Sequence, residues 1–450
     1  MFTGRTQELE RLEDLYSQER CGMVVLYGRN GIGKTTLVKR FLQDKKSLYY
    51  AVRRVTEREQ LFCIRREWAG DGCGESFYEL LKRRIPENSE SKYVLVLDEF
   101  RNLFEDSTEL WNQFLRFYAE RFSEGRLLVV LVSSSINWVE NEMTSRMGSA
   151  AKLLSGFLKL KSFSFMEIAN FFQNSAVEAD ICTGAVLGGV PLYLRLWRDN
   201  KSVEENIRSL FLSEDAPLFS EAERYLKLEL RELTAYNTIL AALAEGKYKL
   251  NDVYEQTGFS RAKISVYIKN LTQLDITEKL FSFETEDYKS VQKGLYRIRE
   301  PFLRFWYRFL YPNLSEIACK GAESVWETKI RPYLADYIRE FFSDVCSEYL
   351  QVLGKMGQLR SDYERFGVWY GKKGRIDVLA GAPGGDMLAG FCFCKDAPAE
   401  CSELDSLLDL LTEAGIRPKE IFCFSINGFE KDFEERAALE GISLVNAKDM

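Results

Sequence analysis

Short, nearly unbroken apolar runs mark the first part of the chain, at residues 23–27, 93–97 and 127–132. Runs of this length without alternation predict strands buried on both faces, as in a parallel sheet. The first leads into a glycine-rich segment and then a helical pattern over 36–41, the second ends in Asp98 and Glu99, and the third ends in Ser133, Ser134 and Ser135. An α/β body is expected, with polar groups delivered at the C-terminal ends of its strands. Farther on, 234–244, 250–256 and 260–271 read as three helices, with Gly258 at the turn before the last. Two strand-like runs, 276–284 and 294–299, follow around a polar tip, so this region predicts a winged helix. Phe302, Leu303, Phe305, Trp306 and Phe309 recur at helical intervals, a pattern that cements domains rather than stacking on bases. After a long helical stretch, strands are predicted at 366–370, 375–380, 388–395, 421–425 and 442–445, with a helix at 402–414.

With 450 residues, 46% of them apolar, the chain can fill about three cores. No apolar run approaches the roughly 18 residues that span a bilayer, and residues 1–5 lack a charged-then-apolar signal layout, so a cytoplasmic protein without membrane partners is expected. Ten cysteines at irregular spacing and no histidine exclude imidazole catalysis and the common Cys/His zinc sites. Cys392 and Cys394, with Cys401 and Cys423 the only others near, read as free thiols. A net charge of −7 argues against non-specific coating of nucleic acid.

The chemistry concentrates at Gly28-Arg29-Asn30-Gly31-Ile32-Gly33-Lys34-Thr35, with Thr36 opening the helix. Between a strand and a helix this spacing is a phosphate-binding loop. Its glycines let successive N–H groups turn toward phosphate oxygens, Lys34 brings charge to the β and γ phosphates, and Thr35 offers a hydroxyl to Mg²⁺. The expected ligands are a nucleoside triphosphate and Mg²⁺. About sixty residues on, Asp98 would hold the Mg²⁺ shell and Glu99 would orient and deprotonate the attacking water. At the end of the next strand Ser134 either senses the γ phosphate or holds that water, or the serines form a plain turn.

Phe2-Thr3-Gly4-Arg5 with Glu8, the phosphate loop, Leu97-Asp98-Glu99-Phe100, Ser133-Ser134 and Gly188-Gly189-Val190-Pro191-Leu192-Tyr193 together resemble the prokaryotic P-loop ATPases related to the AAA+ and STAND groups, the archaeal-type ATPases. Residues 298–309 are similar to that family's winged-helix linker, and the remainder to its closing restriction-endonuclease-like, DUF234-type domain. The resemblance implies four parts: a P-loop ATPase domain at 1–200, a helical lid or linker at 201–225, a winged helix at 226–312 and the nuclease-like domain at 313–450. It places Gly4 and Arg5 near the adenine and ribose, and Pro191 against the base. It also makes Arg146 the candidate for an arginine supplied to a neighbouring subunit's site. Relatives of this kind act as rings or as ligand-gated monomers, so the oligomeric state stays open.

Nucleases of that fold carry an acid on one strand, and on the next an acid two residues before a lysine, because Mg²⁺ needs oxygen ligands. Asp377 and Lys395 fit, but Phe393 stands at the second acid's position. Phe342-Ser343 replaces the family's frequent Phe-Glu, with Glu340 and Asp344 the nearest substitutes. Residues 313–450 hold sixteen Lys and Arg against twenty-four Asp and Glu, a balance that repels a DNA backbone. A degenerate nuclease is expected, able to contact a protein. Residues 226–300 hold twelve Lys and Arg against eleven Asp and Glu, and Glu284, Glu286 and Asp287 sit at the wing tip; DNA and protein both stay open as this part's partner. The expected activity is ATP hydrolysis, against the alternatives of a slow ATP-gated binding switch and a metal-dependent nuclease.

Overall fold

The computed structural model describes residues 3–68, 74–86, 91–122, 125–173, 175–280, 283, 294–371, 374–395 and 397–450. Phe2 and the wing-tip residues Glu284, Glu286 and Asp287 lie outside them. The chain divides into two compact units. One comprises Met1–Ser162 with Val190–Leu192, the other Phe163–Gly189 with Tyr193–Met450.

The first unit is a five-stranded sheet with helices, the P-loop NTPase fold. Its strands are β1 (Gly22–Tyr27), β2 (Ser47–Ala51), β3 (Tyr93–Asp98), β4 (Leu127–Ser133) and β5 (Gly156–Lys159), in the order β2-β3-β4-β1-β5. Every pairing is parallel. Every residue of β1 and β4 is buried. A strand covered on both faces has no polar side to alternate with, which is why these segments are almost wholly apolar. Register sets Tyr27 beside Ser133 and Asp98 beside Val132. The phosphate loop, the two carboxylates and the serines therefore emerge at one edge, with β4 between β1 and β3.

In the second unit, helices Leu233–Ala244, Leu250–Thr257 and Arg261–Gln273 precede an antiparallel hairpin of β6 (Thr277–Leu280) and β7 (Leu295–Ile298). Gly258 ends the second helix at φ 68°, and Ser260 caps the third through the amide of Lys263 at 3.3 Å. The helix Pro301–Phe305 and the turn after it bury their aromatics as expected. Phe302 packs on Tyr193 at 4.6 Å between ring centres, and Phe305 on Phe211 at 5.0 Å and Tyr337 at 5.7 Å.

A second five-stranded sheet follows: β8 (Arg365–Tyr370), β9 (Arg375–Gly381), β10 (Met387–Phe393), β11 (Glu420–Ser425) and β12 (Ser443–Asn446), in the order β12-β11-β10-β9-β8. It is mixed. β8, β9 and β10 pair antiparallel, whereas β10, β11 and β12 run parallel. The long helix Arg331–Lys355 covers one face with Phe342, Val345, Cys346 and Leu350, and helices Cys401–Ala414 and Lys431–Glu440 cover the other with Leu404, Leu411, Phe433 and Ala437. β10 ends at Phe393, so Cys394 and Lys395 lie beyond the strand rather than within it.

Candidate nucleotide site

Positive φ angles at Gly31 and Gly33, 79° and 96°, carry the loop into the helix Lys34–Phe41. A Cβ on Gly28 would come 2.7 Å from the carbonyl oxygen of Leu160, and one on Gly31 would come 2.8 Å from the side chain of Leu192. Only glycine fits such approaches. The amide of Leu192 donates to Gly31 O at 3.2 Å, and Pro191 Cγ lies 4.0 Å from where a Cβ on Gly33 would stand. Lys34 is buried, its Nζ donating to the carbonyls of Gly28 at 2.8 Å and Arg29 at 3.0 Å. The ammonium is thereby folded back over its own loop. Asn30 and Thr36 are exposed, Arg29 and Ile32 buried.

Asp98 is the junction of the site. Its Oδ2 accepts from Thr35 Oγ1 at 3.1 Å and from the Tyr49 hydroxyl at 2.5 Å, while its Oδ1 accepts from the amide of Glu99 at 3.1 Å. Burial, and then the bond to Asp98, push the Tyr49 hydroxyl well above its usual range, so it remains a donor at any working pH. The hydroxyl of Thr35 and the carboxylate of Asp98 form the oxygen pair that a Mg²⁺ ion and its water shell require. These residues fit that ion.

Glu99 sits at φ 54°, ψ 42°, a left-handed conformation rare outside glycine. That geometry swings its carboxylate toward β4, where Oε1 accepts from the Ser134 hydroxyl and Oε2 from the Ser134 amide at 3.3 Å. Ser135 Oγ accepts from Arg101 at 2.9 Å.

Gly4 and Arg5, both at positive φ, start the helix Thr6–Ser17. Arg5 is buried, and its Nη2 donates to the carbonyls of Ile32 at 3.1 Å and Lys161 at 2.6 Å, while its Nη1 pairs with Glu8 at 3.0 Å. It thus ties the chain start to the underside of the phosphate loop. Arg146 is half-exposed and paired with Glu105 at 2.7 Å and Glu142 at 2.8 Å. Tyr49 and Arg101 were not singled out from the sequence. Tyr49 becomes visible only once β2 is known to flank β3.

Residues 1–130 match the family model described as AAA ATPase domain. The chain carries an AAA ATPase domain. That domain is a nucleotide-binding module, and its strands hold the loop, Asp98 and Glu99 described above. Residues 306–402 match a second model, DUF234, described as archaea bacterial proteins of unknown function. The uncharacterized protein MJECL04 of Methanocaldococcus jannaschii is 27% identical over 394 residues, 84% of each chain. The same organism's uncharacterized ATP-binding protein MJ0423 is 38% identical over 63 residues, 14% of this chain and 92% of that one. Among solved structures, the Walker-type ATPase paby2304 of Pyrococcus abyssi is 14% identical, with a TM-score of 0.46 over 68% of this chain and 96% of its own. The ORC2 protein of Aeropyrum pernix is 15% identical, with a TM-score of 0.46 over 71% and 95%.

In the DUF234-matching part, Asp377 is buried and fully engaged. Its carboxylate accepts from Arg339 Nη2 at 2.8 Å, Arg375 Nε at 2.7 Å and the amide of Cys392 at 3.0 Å. Phe393 points to the opposite side from Cys392, packing on Phe433 at 5.7 Å. Lys395 pairs with Glu403 at 2.7 Å. Neither Glu340 nor Asp344 takes up the missing acid's place: they bind Arg304 at 3.0 Å and Arg297 at 3.0 Å. Asp344 is turned toward β7 and Glu340 toward Arg304 and Tyr248, while Ser343 donates to the Asp377 carbonyl at 2.6 Å.

Proposed function

We propose that the chain is a Mg²⁺-dependent ATPase of the cytoplasm whose nucleotide state repositions a winged-helix domain and a catalytically silent nuclease-like domain. The reading is carried by one arrangement: Thr35, in the first turn of the helix that follows a lysine-bearing phosphate loop, bonds Asp98 at the end of β3, with Glu99 the next residue. The phosphates take the amides of residues 28–36 and draw the Lys34 ammonium away from the Gly28 and Arg29 carbonyls. Thr35 and Asp98 would hold the ion, which would supply positive charge to offset that on the phosphate oxygens. Glu99 orients the water and accepts its proton, and Ser134 sets where that carboxylate points. Gly4, Arg5 and Pro191 flank the base side, Arg5 through its grip on Ile32 O. Arg146, with half of its side chain exposed, serves a neighbouring copy if the protein assembles.

Lys34→Ala should abolish ATP binding measured by titration calorimetry. Glu99→Gln should leave binding within a few-fold and lower steady-state phosphate release by roughly 10²–10⁴-fold, the usual contribution of a positioned base. Undiminished turnover in the Glu99 variant would remove its assigned role. A slow ATP-gated switch is favoured by a specific observation, since both Glu99 oxygens are taken by Ser134. Phosphate release no faster than nucleotide dissociation would select that reading.

The four-part division at 1–200, 201–225, 226–312 and 313–450 belongs to this proposal, as does DNA or protein contact by the third part and protein contact by the acidic fourth. A nuclease reading is opposed by Phe393 and by the two arginines that neutralise Asp377. No Mg²⁺- or Mn²⁺-dependent cleavage of DNA or RNA is expected.

A further inference from the structure

Between the helices Arg331–Lys355 and Cys401–Ala414 lies an open groove of about 790 Å³. Arg339 lines it from the first helix, Ser406, Leu407 and Leu410 from the second, and Tyr370 and Arg375 from the facing ends of β8 and β9. Arg339 and Arg375 grip the same buried carboxylate: Asp377 Oδ2 accepts from Arg339 Nη2 at 2.8 Å, and Oδ1 from Arg375 Nε at 2.7 Å. Glu340, the next carboxylate acting on Arg375, is already paired with Arg304 at 3.0 Å. Two guanidiniums therefore share one neutralising charge. Arg339 Nε is sealed in and takes no part. Arg339 Nη1 and both Nη1 and Nη2 of Arg375, by contrast, reach the surface of side chains that are 36% and 21% exposed, and bond no group among the described residues.

We propose that this groove binds a small phosphate monoester, its phosphoryl oxygens taken by the Nη1 and Nη2 edge of Arg375 and by Arg339 Nη1. The number of donors selects the headgroup. One guanidinium edge uses up the two coplanar oxygens of a carboxylate, whereas the tetrahedral oxygens of a phosphate accept from two guanidiniums at different angles. Charge agrees, because the two arginines carry one positive charge more than Asp377 removes. The rim then limits the size of the anion. Asp409 and Glu413 line the same groove and are exposed. Salt screens such carboxylates beyond roughly 8 Å, so a single phosphate seated on the arginines tolerates them, while a nucleic-acid backbone laid along the groove would meet them phosphate by phosphate. The organic body of the ester lies against Leu407, Leu410 and Tyr370. The site recognises the ester and breaks no bond.

The test uses the full chain saturated with Mg²⁺ and a non-hydrolysable ATP analogue, so that the phosphate loop cannot take up the probe. Binding of 4-fluorophenyl phosphate is followed by fluorine NMR line broadening. Saturable broadening displaced by inorganic phosphate is expected, weakened at least about tenfold by Arg375→Lys and by Arg339→Lys, each of which keeps a charge beside Asp377 but loses the planar set of donors. No saturable binding to the unaltered protein overturns the proposal, as does undiminished affinity in either lysine variant. Displacement by benzoate at lower concentration than inorganic phosphate overturns the assignment to a phosphoryl group, and displacement by an oligonucleotide without terminal phosphates at lower concentration than the probe overturns the assignment to a small ester. Should circular dichroism show that a lysine variant does not fold, Ser406→Asp, at an exposed position on the wall of the groove, replaces it: a several-fold loss supports the site, and undiminished affinity overturns it.

Discussion

Asp98 serves three donors at once, and two of them share a single oxygen. Tyr49 therefore competes for the same lone pairs that a hydrated cation would use. Removing that hydroxyl forfeits a hydrogen bond worth about 1 kcal/mol of stability but frees the oxygen. Tyr49→Phe should lower the Mg²⁺ concentration giving half-maximal turnover while leaving nucleotide affinity without the ion unchanged, which a Mg²⁺ titration of phosphate release checks. Lys34, Thr35, Asp98 and Glu99 could be read directly from the chain, because the loop's spacing and the strand-end carboxylates are local features. Tyr49 could not be, since its role depends on β2 lying beside β3, which the chain order does not state. The use of Arg5 is equally non-local: its guanidinium binds Lys161, 156 positions away.

Elements were readable where one kind of environment governed the whole segment. β1, β3 and β4 are buried on both faces, so their apolar runs end where the strands do, and three helices precede the hairpin at the predicted positions, the third capped by Ser260. Boundaries blurred where a strand left the sheet, as at Cys394 and Lys395, because apolar content continues past the last pairing with β11. The buried helix Val177–Leu187 carries a charge that hydrophobic patterning alone would not place there. Burial, despite a 2.5 Å bond from Ser175, raises the Asp180 carboxyl to about 6. Its folded value lies above the ordinary 3.8, so its contribution to stability is complete below that ordinary value and is lost as pH rises through 6. Asp180→Asn should flatten this dependence and raise the melting temperature at pH 7.5, by an amount corresponding to about 2 kcal/mol, as calorimetry across pH 4–8 would register. Phe305→Ala, which empties a fully buried position between Phe211 and Tyr337, should cost about 3–5 kcal/mol in chemical denaturation.

Among the described residues no helix is long and apolar enough to cross a membrane. If the chain as a whole converts hydrolysis into rearrangement of its later parts, turnover should respond to whatever those parts grip. Phosphate release measured with and without duplex DNA tests the hairpin-bearing region, and an unchanged rate would direct attention to a protein ligand. The path of the backbone adds its own constraint. It leaves the first unit after Ser162, returns for Val190–Leu192 alone, and departs again. Those three residues include the amide that bonds Gly31 and the proline beside Gly33. A fragment ending at Ser162 should accordingly bind nucleotide more weakly than the intact protein, even if it folds. A cut anywhere between Ser162 and Val190 severs this short stitch from the sheet it serves, whereas a cut just past Leu192 keeps both on one piece.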